Sequence, residues 1–280
     1  MATKAGLYFS QERNTNMLYS YTIWNNKEGA GKAASVYKLV ATYAEKNPNV
    51  NVVVIDLSSQ TDLSIMLLGD GSDGKARVNK ASSLLMSVAG YLSTVVTNGS
   101  GAKRPDPHKF ILNVGQYNDN LPNNLYLLCG DKIGEMEIKE AEYEWVLEVF
   151  RNFIFDIASE DSDWMVFVDT GADLGLSTQM AIVASNYLII PVTLDTISKS
   201  STLETMSLIY GADSFFKYNK ANLHIPKIWS LLADKEIEVD LIKTLYEIQR
   251  LHPEYFVIRR TINSLEEFKE SNIKSMDTLF

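Results

Sequence analysis

The sequence predicts an α/β fold: a doubly wound, mostly parallel sheet with helices on both faces. Two observations predict it. Short apolar runs alternate along the chain with longer stretches of helical periodicity. The runs are rich in Val, Ile and Leu and mostly lack strict alternation, which is the pattern of strands buried on both faces. The chain has 280 residues, 46% of them hydrophobic, enough for one sizeable core. With no internal repeat and no stretch long enough to be a domain linker, residues 1–280 read as a single domain.

The elements follow in order. Leu18–Trp24 is a strand, and Ala33–Glu45 is a helix with Val36, Leu39, Val40 and Tyr43 on one face. Val52–Asp56 is the next strand. Residues 69–75, "GDGSDGK", and 98–107, "NGSGAKRPDP", carry loop chemistry, with one helix over Ala81–Val96 between them. Phe110–Val114 and Leu125–Cys129 read as strands. Ile138–Ile157 is a long helix, repeating Trp145, Val146, Val149, Phe150, Phe153 and Ile154 at helical spacing. Met165–Asp169, Tyr187–Val192 and Ile228–Leu232 complete the strands.

Composition bounds the function. A net charge of −9 argues against a chain that coats nucleic acid over its whole surface. Cys129 is the lone cysteine, so neither an intrachain disulfide nor a cysteine-based metal site forms. His108, His224 and His252 lie far apart in sequence and suit turns better than ligation. No apolar run approaches the ~18 residues that span a bilayer. "MATKAGLYFSQERN" has no signal-peptide core, so a cytoplasmic protein is expected.

The chemistry concentrates in "NNKEGAGKAAS", residues 25–35. A phosphate needs converging backbone N–H donors and a close backbone approach, which Gly29 and Gly31 permit because they lack a β-carbon. The helix that follows would present its positive end there, with Lys32 reaching the β- and γ-phosphates; the pattern alone equally fits a plain glycine turn into a helix. Asp56 and Asp169 end apolar strands, where a carboxylate needs a partner: a hydrated Mg²⁺, or the next turn as its cap.

"TIWNNKEGAGKAA" resembles the deviant Walker A segment, K-G-G-x-G-K-[ST], of the ParA/MinD partition ATPases. Lys27 falls on the signature lysine and Lys32 on the P-loop lysine; Glu28 replaces a glycine and Ala33 the hydroxyl residue. "VVVIDLSSQTDLS" is similar to the strand ending in D-x-D-P-Q: Asp56 and Gln60 match, while Ser58 and Ser59 stand for the second Asp and the Pro. "NLYLLCGD" is similar to the strand and turn before the family's long central helix. "DWMVFVDTGADLGLSTQMAIVASNYLIIPVTLD" resembles the Walker B region, with Gly171 and Ala172 replacing a Pro pair. The likeness covers most of residues 18–200 in order, and is weaker beyond them.

The resemblance implies a P-loop NTPase-like fold that binds ATP and Mg²⁺ through Lys27, Glu28, Gly29, Ala30, Gly31, Lys32, Ala33 and Ala34. It implies catalytic roles for Lys27, acting across a dimer on the partner's nucleotide, and for Asp56. Asp56 and Asp169 would hold the metal through water. Ala33 removes a metal ligand, Ser58 removes a water-activating acid, and Glu28 sets a negative charge beside the phosphates. Together they predict weakened hydrolysis, unless Ser35, Ser58 or Ser59 substitutes as a hydroxyl ligand. The implied function is an ATP-dependent homodimer or filament that positions cargo, plasmid or chromosomal DNA, through a ParB-like or other adaptor. The alternative is a non-hydrolysing scaffold or adaptor that localises a cellular complex. Lys217, Lys220, Lys227, Arg259 and Arg260 form either a non-specific DNA face or an ordinary solvated surface. The tail "LEEFKESNIKSMDTLF" can form an amphipathic helix, but its acidic excess disfavours anionic lipid, so no membrane partner is expected.

Overall fold

A computed structural model describes residues 18–24, 32–99, 101–131, 143–158, 162–192, 227–232 and 256–259. In chain order the elements are β1 (Leu18–Ile23), α1 (Lys32–Lys46), β2 (Val50–Asp56), α2 (Asp62–Leu67), α3 (Gly71–Ser83), α4 (Val88–Asn98), β3 (Leu112–Asn113), β4 (Leu125–Leu128), α5 (Tyr143–Leu147), α6 (Val149–Ile157), β5 (Asp163–Asp169), α7 (Leu176–Ala184), β6 (Tyr187–Val192), β7 (Lys227–Leu232) and β8 (Phe256–Arg259). The strands form one eight-stranded sheet in the order β3-β4-β2-β5-β1-β6-β7-β8. All pairs are parallel except β3–β4.

Alternate residues of the central strands serve opposite faces, as the pleat requires. Val53 and Ile55 of β2, with Trp164, Val166 and Val168 of β5, pack toward α4, α6 and α7. Val52 and Val54, with Met165 and Phe167, pack toward α1, α2 and α3. Helices therefore cover both faces, which is why β2 and β5 carry runs of successive apolar residues. The Tyr21 ring stacks between Phe167 at 5.7 Å and Tyr187 at 5.0 Å, fixing the β5-β1-β6 centre. Each such buried side chain contributes about 1.5–3 kcal/mol of transfer free energy.

Four sequence expectations are corrected. The "GDGSDGK" segment is not a loop throughout, because α3 begins at Gly71, capped by the Asp70 carboxylate accepting from the Gly71 N–H at 2.7 Å. Ala81–Val96 is not one helix. The chain breaks after Ser83, Leu85 adopts φ 58°, and Ser87 caps α4 by accepting from the Gly90 N–H. Gly90 is required there, since a β-carbon would lie 2.2 Å from the Leu85 carbonyl oxygen. The helix expected over Ile138–Ile157 is two in its described part, α5 and α6, and residues 138–142 lie outside the described residues. Finally, Phe110–Val114 shrinks to the two-residue β3, flanked by two single 3₁₀ turns. Sequence reading also missed β8.

Candidate functional site

The carboxyl ends of β1, β2 and β5 lie side by side at the centre of the sheet, with Ile23 beside Asp169 and Asp169 beside Asp56. Open α/β sheets bind ligands at this edge. A cavity of about 520 Å³ lies there. Its walls come from Lys32–Ala34 at the start of α1, Ser58–Gln60 after β2, Asp62, Ile65 and Met66 of α2, Asp70, and Asp169–Asp173 after β5.

The glycine-rich segment lies between β1 and α1 in the sequence. Lys27, Glu28, Gly29, Ala30 and Gly31 lie outside the described residues. What brackets them is described: Trp24 is buried at the end of β1, and Lys32 is the first residue of α1. A strand before the glycine-rich segment and a helix after it, the flanks that a phosphate loop needs, are both present. α1 has 15 residues and no acidic residue in its first turn, so its positive end is not neutralised from within. Lys32, Ala33 and Ala34 all line the cavity.

The two strand-end carboxylates have different fates. Asp56 is fully buried and does not line the cavity. Its Oδ1 accepts from the Ser58 N–H at 3.0 Å, and its Oδ2 accepts from the Ser64 N–H at 3.0 Å and the Ser64 hydroxyl at 2.6 Å. The Ser64 hydroxyl in turn accepts from the Gly130 N–H at 2.9 Å. Asp56 thus holds the β2–α2 turn through three hydrogen bonds, and its Oδ1 keeps one further acceptor direction. Burial pushes its carboxyl up to about 6, against the opposing pull of the Ser64 and Ser58 hydrogen bonds.

Asp169 is buried too, at 2% exposure, but faces the cavity. Its Oδ1 has no hydrogen-bond partner among the described residues. Burial, then repulsion from Asp56, raises its carboxyl well above the ordinary range, and the Lys32 charge pulls it back. The backbone around it is pinned: the Asp169 carbonyl accepts from the Leu57 N–H at 2.9 Å, and the Thr170 hydroxyl donates to the Ile23 carbonyl at 3.0 Å.

The structure therefore brings together Lys32, Ala33, Ala34 and Asp169, and sets Asp56 behind them. The donor set fits a phosphorylated ligand with a hydrated cation. Lys32 and the α1 N-terminus would meet the anion, and Asp169 lines the same cavity with its buried Oδ1 unpartnered among the described residues. Among the described residues no group of three or more His, Cys, Asp and Glu forms a metal cluster. Sequence reading missed Asp62, Thr170 and Asp173 as cavity residues. Lys217, Lys220 and Arg260 lie outside the described residues, while Lys227 starts β7 and Arg259 ends β8.

A family profile described as "AAA domain" matches residues 20–219. The chain belongs to this family, as a ParA/MinD-type member. An uncharacterised protein of Methanocaldococcus jannaschii is 28% identical over 170 residues, 61% of this chain and 57% of that protein. The match thus spans little more than half of the curated relative's length. Among solved structures, a plasmid partition protein of Borrelia burgdorferi is 20% identical with a TM-score of 0.56, covering 91% of this chain and 97% of that one. A Cyanothece McdA–ATP complex is 15% identical with a TM-score of 0.60, covering 92% and 89%. A cobyrinic acid a,c-diamide synthase of Mycobacterium smegmatis, with a bound ATP analogue and magnesium, is 16% identical with a TM-score of 0.57, covering 90% and 91%. At these identities the structures establish the P-loop NTPase-like fold.

Proposed function

We propose that the chain is a ParA-like protein that binds ATP with Mg²⁺ and assembles as a nucleotide-dependent dimer or filament to position cargo, most simply plasmid or chromosomal DNA, through an adaptor of ParB type. The observation that carries this reading is the cavity shared by Lys32, the α1 N-terminus and buried Asp169, whose Oδ1 has no hydrogen-bond partner among the described residues. The partition protein from Borrelia burgdorferi bound to AMPPNP and the McdA–ATP complex, both of the same fold, support it.

In this reading Lys32 and the backbone of the 25–31 loop hold the phosphates, and Asp169 anchors the water shell of Mg²⁺. Ala33 offers no oxygen to the metal, so its hold is weakened. Lys27 bridges to the partner's nucleotide. Hydrolysis is slow, because Ser58 is uncharged and its hydroxyl accepts from the Gln60 N–H at 3.4 Å. The basic residues from Lys217 to Arg260 are the candidate DNA contacts. No described helix is long and apolar enough to cross a membrane. A non-hydrolysing scaffold with the same fold is the second reading, favoured by Ala33 at the cavity wall.

Titration with ATP and Mg²⁺ by calorimetry tests the proposal. Wild type should bind, and Lys32→Ala should lose tenfold or more in affinity, the order expected for a charge-assisted contact worth about 1.5–3 kcal/mol. Equal binding by the two proteins sinks the assignment of this cavity.

A further inference from the structure

The cavity holds an acid that the family pattern does not point to. Five carboxylates belong to this edge of the sheet: Asp169, Asp62, Asp70 and Asp173 on the cavity wall, and Asp56 behind it. Asp56 is spent on Ser58 and Ser64. Asp70 accepts from the Gly71 N–H at 2.7 Å, capping α3, and Asp173 accepts from the Gly175 N–H at 3.0 Å. Asp169 is buried beside Asp56 and answers to Lys32. Asp62 is exposed on the wall, and none of the described residues hydrogen-bonds its carboxylate. Its charge is nonetheless felt by both Asp56 and Asp169, which places it on the same electrostatic stage.

Its position is fixed by the backbone. Thr61 takes the left-handed conformation, φ 56°, and turns the chain into α2. Two residues beyond Asp62, the Ser64 N–H and hydroxyl are clamped by Asp56. The short helix therefore presents Asp62 at the cavity from a rigid base.

We propose that Asp62 is the catalytic carboxylate that orients and deprotonates the attacking water, the role that Ser58 cannot fill. The inference rests on the reading that the cavity takes a nucleoside triphosphate. The water oxygen forms a bond to the γ-phosphorus while its proton passes to the Asp62 carboxylate. The bond from the γ-phosphorus to the β,γ-bridging oxygen breaks, and its electron pair leaves with ADP. The proton then returns to solvent, giving ADP and inorganic phosphate. A carboxylate held on a helix end two residues from its anchor can act this way in slow turnover.

The test separates binding from chemistry. ATP affinity and single-turnover phosphate release are measured for wild type, Asp62→Asn, Asp62→Glu and, as a control, Asp73→Asn on the exposed face of α3. Asp62→Asn should bind ATP as tightly as wild type or tighter and release phosphate at least about tenfold more slowly. Asp62→Glu should recover part of the rate, and Asp73→Asn should match wild type. Phosphate release by Asp62→Asn at the wild-type rate overturns the proposal, as does a wild type that binds ATP and never hydrolyses it. Failure of wild type to bind ATP overturns the nucleotide site itself, and the role of Asp62 with it.

Discussion

Asp56 and Asp169 are paired across the β2–β5 ladder, yet only Asp169 faces the cavity. The difference comes from α2. Ser64 reaches back to take both free lone-pair directions of Asp56 Oδ2, while Asp169 Oδ1 keeps no such partner among the described residues. One strand-end acid is tied into the β2–α2 turn, and its neighbour lines the cavity.

The first prediction concerns pH. Burial raises the Asp56 carboxyl to about 6, from an ordinary 3.8. The folded protein therefore keeps that proton where the unfolded chain has lost it. This contribution to stability is complete below 3.8 and fades as the pH rises through about 6. Asp56→Asn cannot titrate. In metal-free protein, the thermal midpoint of wild type should fall relative to Asp56→Asn between pH 4.5 and pH 7. A difference that stays flat across that window refutes the raised carboxyl.

Gly130 supplies the second. A β-carbon added there would lie 2.8 Å from Asp56 Cγ and 3.0 Å from the Asp56 carbonyl oxygen. Neither is the end of a flexible side chain, so the clamp or the backbone must shift. Gly130→Ala should cost about 1–3 kcal/mol in urea denaturation, the usual cost of overpacking. Stability equal to wild type would show that the Asp56–Ser64–Gly130 contact is looser than drawn.

The parallel centre of the sheet was legible because β2 and β5 are apolar at successive positions, a pattern that only burial on both faces explains. The boundary between α3 and α4 was not. No proline marks it; a leucine at φ 58° does, forced by close packing on Gly90. The signal present was Ser87 three residues before Gly90, an N-cap spacing hidden inside an apolar run. At the candidate site, the motif singled out Lys32 and Asp169, and both line the cavity. The capture of Asp56 was not, because its partner Ser64 sits on the next helix and Gly130 comes from β4's end. Such a contact has no local sequence signature.

A third prediction tests the lost groups. Ala33 is half-buried on the cavity wall and Ser58 is buried at the loop beside it. Turnover of wild type should fall below the usual enzyme scale of ~1–10 s⁻¹. Ala33→Thr with Ser58→Asp returns a metal ligand and a second acid, and should raise the rate at least about tenfold. An unchanged rate means that neither position limits the chemistry.

The last prediction is about assembly and rests on Lys27. Its neighbours have drifted from the family pattern: Glu28 stands for a glycine and Ala33 for a hydroxyl residue. A lysine needed only for hydrolysis within its own subunit has little use beside Ser58. A lysine that bridges to a partner's phosphates stabilises a dimer whether or not ATP is cleaved, because a charge-assisted contact needs no turnover. Nucleotide that binds the dimer better than the monomer shifts the equilibrium by that difference in affinity. ATP or a slow analogue should therefore enlarge the particle in sedimentation velocity, and slow hydrolysis should let it persist. Lys27→Ala should bind ATP yet stay small. If nucleotide leaves wild type unchanged in size, or if Lys27→Ala assembles equally well, Lys27 has no role across an interface.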